Sequence, residues 1–403
     1  MIPFYKLHYD KSIAAEIDKV LQSGWLTTGP QTKKFEQQIT AYCGNEKTLC
    51  VSAATNGLEI MLRWFGVGPG DEVIIPAYTY CATANVVVHC GATLVIVDVG
   101  ADFNISVDEI ERHITPNTKV IMPVDFSGLP CDYDAINSLV SRDGISSQFE
   151  PVTEEQKALG RILVLADAAH SAGGIYKSKR TGSLTDVSVF SFHAAKNLTT
   201  GEGGAICLNL PEPFVNEDVY KALCIKVLHG QSKDALAKDK AGSWRYDVNE
   251  AGYKCNMTDL QAIIGMIELD KYEVSTLPAR KQIFKQYDNA FSACDWAELP
   301  LSSDSERTSS YHIYPLRIKG VSEGQRDSII QQITDDGVGV NVHFMPIPML
   351  SFYKDQGFDI STTPRTYDNY SREITLPVYV DLSEEDQATV IETVIKSVAA
   401  VLS

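Results

Sequence analysis

The chain carries no C-x-x-C pair among its nine cysteines, and their odd number closes no disulfide framework. Neither a disulfide scaffold nor a cysteine-ligated zinc site is suggested, and no metal is expected. No apolar run is long enough to cross a bilayer. The start, MIPFYKLHYDKS, lacks the apolar core of a secretory signal, so the expected compartment is the cytoplasm. Basic residues are scarce: 35 Lys and Arg stand against 52 Asp and Glu, a formal net charge of −17. That deficit argues against a nucleic acid or an anionic membrane as partner, since either needs a dominant basic surface. It leaves room for a local positive pocket around a small phosphorylated ligand. Internal repeats and low-complexity tracts are also missing.

What is present fits a soluble globular enzyme. At 403 residues the chain is long enough for two or three structural units, and 44% hydrophobic with 22% charged residues is ordinary composition. Short apolar runs alternate with helix-like stretches through the first two-thirds, the pattern of an α/β sheet. EVIIP (72–76), ATLVIVD (92–98), KVIMPV (119–124), RILVLAD (161–167), VSVFSF (187–192) and AICLNL (205–210) are expected strands. Their continuous apolar character suits a sheet covered on both faces. Leu58, Met61, Leu62 and Phe65 mark one face of a helix. Ser106 with Glu109, and Thr258 with Gln261, are capping-box signatures. The helix opened by Thr258 could extend to about Phe291, with Pro278 as its break. Beyond about 296 shorter, more polar strands (HIYPLRI, GVGVNVHF) and a helix near 384–401 indicate a smaller α+β unit. The expected division is 1–275 and 276–403. The polar stretch 141–160 is expected to be an exposed insertion.

Three features carry chemistry. The strand RILVLAD ends in Asp167, and ligands in open α/β sheets bind beyond the carboxyl ends of strands. An acid there can hold a protonated ring nitrogen. VSVFSFHAAKNLTTGEGGAI places Lys196 after a strand and before a glycine-rich turn; a lysine among apolar neighbours loses proton affinity and can form an imine. In VSAATNGLEIML a strand turns into a helix at Ala54 and Thr55, where amides and a hydroxyl suit a phosphate. Each has a bland explanation as a cap, a solvated charge or a helix start. Together they supply what pyridoxal 5′-phosphate (PLP) needs.

With those segments, the sequence resembles the DegT/DnrJ/EryC1/StrS family of sugar aminotransferases, PLP enzymes of fold type I. The resemblance spans nearly the whole chain. It includes SGWLTTGPQTKKFE (23–36), GVGPGDEVIIPAYTYCATANVV (66–87), GYKCNMTDLQAIIG (252–265), VHFMPIP (342–348) and ITLPVYVDLSEED (374–386). It implies a large domain with a mostly parallel central sheet sandwiched by helices, plus a smaller C-terminal α+β domain. It implies that Lys196 is the imine-forming residue and Asp167 the partner of the pyridine nitrogen. His170 would lie close to the cofactor and Tyr80 would stack on its ring. Ser191, Ala54 and Thr55 would hold the phosphate, and Asn256 would reach the phosphate of a partner subunit in a homodimer. Thr28 and His343 would contact substrate. The family's usual Ser-Gly-Thr turn is Ala53-Ala54-Thr55 here, which keeps the backbone amides. Asp125 replaces a histidine found in many members.

The implied reaction moves an amino group from L-glutamate to a nucleotide-linked keto-sugar. GYKCNMTD and HGQSKD (229–234) look most like enzymes that aminate C4 of UDP-linked 4-keto-6-deoxy sugars for bacterial surface polysaccharides. The rivals are a PLP sugar dehydratase, in which histidine replaces the lysine, and a non-catalytic relative. Lys196 together with Asp167 disfavours both. A cysteine desulfurase is more distant, with no exposed cysteine loop evident.

Overall fold

The computed structural model describes residues 1–8, 10–232 and 246–402. In chain order its strands are β1 (Lys47–Val51), β2 (Glu72–Pro76), β3 (Thr93–Val97), β4 (Thr118–Ile121), β5 (Leu163–Asp167), β6 (Ile175–Tyr176), β7 (Lys179–Arg180), β8 (Val187–Ser191), β9 (Gly204–Leu208), β10 (Ala297–Glu298), β11 (Arg307–Thr308), β12 (Tyr314–Ile318) and β13 (Glu373–Leu376). Seven of them form the central sheet, in the order β1-β9-β8-β5-β4-β2-β3. Every neighbouring pair from β8 to β3 is parallel, and β9 runs antiparallel to both β8 and β1. This is the mostly parallel, helix-flanked sheet of fold type I.

Successive strand residues point to opposite faces, and both faces are covered. Val189, Ile206 and Leu208 join one core with the helices Ala54–Trp64, Cys81–His89 and Tyr133–Ser141. Phe190, Ala205 and Cys207 join another with Phe35, Ile39, Ile263 and Met266 from the helices Pro30–Cys43 and Asp259–Lys271. Leu58, Met61, Leu62 and Phe65 are all buried on one face. A third core surrounds the antiparallel sheet β10-β12-β13 and the helices Leu277–Phe291, Glu323–Asp335 and Glu384–Leu402. Ile2 belongs to that core: its amide donates to the Gly337 carbonyl, and its carbonyl accepts from the Gly339 amide, both at 2.8 Å.

Several local expectations change. Thr258 forms the full capping box with Gln261, whereas Ser106 accepts only the Glu109 amide. The long helix does not break at Pro278. It passes through a π-helical turn at Tyr272–Thr276, and Pro278 sits in the first turn of the segment that follows. Widening the turn there makes room for a ring that has no amide to donate and crowds the preceding carbonyls. GVGVNVHF is not a strand: it makes single bridges only, Val338 with Ile2 and Asn341 with Thr375. The 141–160 stretch holds two short helices and is anchored by buried Gln156, which donates to the Phe65 carbonyl at 2.9 Å.

Candidate active site

The carboxyl ends of β5 and β8 and the start of the helix after β1 meet at one cavity of about 350 Å³. Ala54, Thr55, Tyr80, Asp167, His170, Ser191, Lys196 and His343 all line it. The helix Ala54–Trp64 opens without a side-chain cap, which leaves its first amides for an anion. Gly204 of β9 lies directly behind. A Cβ there would stand 2.7 Å from the Ala54 amide nitrogen, so only glycine permits this approach.

Asp167 ends β5 and is buried. Its Oδ2 accepts from the Thr83 hydroxyl at 2.8 Å and its Oδ1 from the Ala169 amide at 3.2 Å. Burial pushes its carboxyl up, opposed by those two hydrogen bonds and by Lys196. Lys196 lies in the loop joining β8 to β9, with its amide bonded to the His193 carbonyl at 2.9 Å. Burial pushes its amine down to about 8, with Asp167 acting the other way. The pair therefore offers an acid for a ring nitrogen and an amine close to its neutral form.

The remaining wall is rich in nitrogen. His170 and His312 pack with ring centroids 4.4 Å apart. Burial drives both well below the usual imidazole range, and Lys196 adds to each. His312 is held by Asn197 Oδ1 at 2.8 Å, while His170 Nδ1 is buried without a hydrogen-bond partner. Arg280, on the helix Leu277–Phe291, donates to the carbonyls of Tyr311 and His312. His343 Nδ1 lies 3.0 Å from Thr375 Oγ1 of β13. The N-terminal arm closes this side: Phe4 stacks on His343 with centroids 5.4 Å apart, and the Tyr5 hydroxyl donates to the Ala194 carbonyl.

Two of the expected residues stand outside the cavity wall. Asn256 donates to Thr28 Oγ1 at 2.7 Å, and Thr28 donates to the Met257 carbonyl at 2.6 Å. Asp125 faces away from the cavity. It is buried and accepts from Tyr133, Ser171 and the Cys131 amide, with burial raising its carboxyl to about 6. Lys233 and Asp234 of HGQSKD lie outside the described residues. Sequence reasoning missed Thr83, Arg280, His312, Thr375 and the N-terminal arm. Only Thr83 had a local signal, three residues after Tyr80 on one helical turn.

These side chains fit PLP. An uncapped helix start backed by a glycine suits its phosphate, buried Asp167 its ring nitrogen and Lys196 its aldehyde carbon. The orphaned His170 nitrogen marks a polar position that the protein itself does not satisfy.

Comparison with known proteins agrees. Residues 8–395 match the DegT/DnrJ/EryC1/StrS aminotransferase family. The chain is 36% identical over 388 residues to an uncharacterised protein of Methanocaldococcus jannaschii, covering 95% of this chain and 94% of that one. It is 34% identical over 384 residues to the spore coat polysaccharide biosynthesis protein SpsC of Bacillus subtilis, covering 94% and 92%. The PMP-form structure of the putative sugar aminotransferase Spr1654 from Streptococcus pneumoniae superposes with a TM-score of 0.96 at 42% identity, covering 100% of both chains. Its PLP-form gives 0.94 at 40%, again over 100% of both. The chain thus belongs to the DegT/DnrJ/EryC1/StrS aminotransferase family and is a PLP-dependent enzyme of fold type I.

Proposed function

We propose that this enzyme moves an amino group from L-glutamate to C4 of a UDP-linked 4-keto-6-deoxy sugar, for bacterial surface polysaccharide. The observation that carries the reaction class is the joint placement of Lys196 and Asp167 on one cavity. The sugar assignment is supported by the names of the relatives, one a spore coat polysaccharide biosynthesis protein and another a putative sugar aminotransferase.

Bound PLP supplies an electron sink for the carbanion at the reacting substrate carbon. The protein does the rest. The Ala54 and Thr55 amides, with Ser191, hold the phosphate and fix the register of the ring. Asp167, kept in place by Thr83 and Ala169, holds a proton at the ring nitrogen. The Lys196 amine would take the proton from the donor's α-carbon and give it back as general base and acid. Its lowered proton affinity keeps a usable neutral fraction near neutral pH. Tyr80, 59% exposed and on the cavity lining, would stack on the cofactor ring. In a homodimer, the Asn256–Thr28 pair serves the partner's site, with Asn256 reaching the phosphate there.

The test is the absorption spectrum of the purified enzyme before and after L-glutamate, compared with Lys196→Ala. Conversion of the PLP band to a pyridoxamine band in the wild type alone is expected. Product mass is then read with UDP-linked 4-keto-sugars. An unchanged spectrum sinks the donor assignment, and a dehydrated product in place of an aminated one sinks the transferase reading.

A further inference from the structure

Lysine and arginine side chains on the cavity lining are Lys196 and Arg280, and its acids are Asp167 and Glu202. Both acids are engaged away from Arg280. Asp167 accepts from Thr83 and Ala169, and Glu202 lies 3.8 Å from His193 Nε2. Arg280 is only 5% exposed, yet among the described residues no salt bridge reaches it. Its Nε donates to the Tyr311 carbonyl at 2.8 Å and its Nη2 to the His312 carbonyl. Nη1 makes no hydrogen bond among the described residues. Nor is it sealed in protein: the buried side-chain atoms without a partner include Arg317 Nε but no atom of Arg280. Nη1 therefore meets open space, and the space that Arg280 lines is the cavity.

A guanidinium stays charged at neutral pH, and a buried charge without a counter-charge is costly. Burial lowers Arg280 to about 10, with the phenols of Tyr272 and Tyr5 acting the other way. Those phenols donate to the Ala172 and Ala194 carbonyls and bring no negative charge. The Tyr311 and His312 carbonyls aim the group but carry no net charge either. Their segment is itself pinned, the Ser310 amide to the Gly128 carbonyl at 3.0 Å and the His312 amide to Ser127 at 3.2 Å. A brace for two carbonyls would need no charge. The phosphate, ring nitrogen and aldehyde carbon of PLP are matched elsewhere, by the Ala54 helix start, Asp167 and Lys196. The missing anion therefore belongs to a substrate, and a planar fork with a free edge suits a carboxylate or a phosphate.

We infer that Arg280 is a substrate-binding residue whose Nη1 edge takes an oxyanion, either a carboxylate of L-glutamate or the diphosphate of the nucleotide sugar. The names of the two substrates rest on the proposed function; the oxyanion site stands without them.

The test uses full-length, PLP-loaded enzyme. The wild type is treated with phenylglyoxal, which condenses with guanidinium groups, in the presence and absence of glutarate or UDP as oxyanion probes. Modified residues are mapped by mass spectrometry. Arg280 is expected to react, and at least one probe to protect it. An Arg280 that never reacts, or that neither probe protects, overturns the site. One that reacts only after PLP is removed belongs to the cofactor and overturns the substrate role. Arg280→Lys and Arg280→Gln then identify the source. Loss of a charged hydrogen bond should raise KM about tenfold or more, with kcat changed far less. A rise for L-glutamate alone names its carboxylate, for the keto-sugar alone the diphosphate, and for both a shared position. Lowered kcat with both KM values unchanged is the mark of a brace and overturns the inference. If a variant does not fold, the protection result on the wild type still decides. If the wild type aminates no keto-sugar, the proposed function fails on its own, and protection of Arg280 remains a separate answer.

Discussion

Thr83 and Asp167 stand 84 residues apart in the chain, and the hydroxyl of one donates to Oδ2 of the other at 2.8 Å. Thr83 Oγ1 also lies 2.8 Å from Thr79 Oγ1, so the threonine proton that reaches Asp167 is itself backed by a second hydroxyl. The helix Cys81–His89, whose first turn follows Tyr80, thereby braces the acid.

Thr83→Val keeps the shape and deletes that donor. Hydrogen bonds to charged groups are worth roughly 1.5–3 kcal/mol, so PLP affinity should fall about tenfold or more. Burial already raises Asp167, and losing Thr83 raises it further. The ionised form is the one needed, so the acid limb of the donor half-reaction should move to higher pH. Fluorescence titration of the apoenzyme with PLP and a pH profile decide it; an unmoved limb rejects the brace.

Lys196 gives a second pH signature. With its amine at about 8, the reactive neutral form grows as pH rises and saturates just above that value. The rate of PLP capture by the apoenzyme should therefore climb about tenfold from pH 6 to 7, then flatten beyond 8. An unperturbed lysine, near 10.4, would keep climbing. Stopped-flow absorbance distinguishes the two curves.

Gly204→Ala puts a Cβ 2.7 Å from the Ala54 nitrogen and 2.8 Å from the Phe190 carbonyl, both backbone atoms that cannot swing aside. The strand must part from the helix start. We expect PLP binding to weaken at least about tenfold, with inorganic phosphate losing its ability to compete for the site. Retained phosphate competition would show that the amides do not form the cradle.

Gly339 faces the N-terminal arm: a Cβ there would meet the Phe4 nitrogen at 2.7 Å. Gly339→Ala should dislodge the arm, lower the melting midpoint by a few degrees, as a loss of about 1–2 kcal/mol implies, and expose residues 1–6 to protease. Gly324→Ala, where the added carbon meets open space, is the matched control. Equal behaviour of the two variants would show that the arm does not depend on this close approach.

Asp167, Lys196 and the Ala54 helix start were legible because each lies at the end of a buried strand, and such ends show as a change from continuous apolar residues to small and polar ones. Their supports were not. Thr375 looks like an ordinary residue of a short strand, and nothing near Phe4 or Tyr5 announces a partner more than 180 residues away. GVGVNVHF alternates as a strand should, yet it makes only single bridges, because its neighbours are one arm residue and one residue of β13. Periodicity records which face is apolar, not which partner is available. The π-helical turn before Pro278 had the same cause: proline signals a disturbance, and packing decides how the helix absorbs it.

Lys196 and Asp167 are carried by the central sheet, whereas His343 and Phe344, together with Leu376 and Val378, line the cavity from beside β13 and the core around it. The cavity wall is thus built from two separate parts of the fold. A chimaera that exchanges 297–378 between relatives is expected to take its substrate range from the donor of that segment.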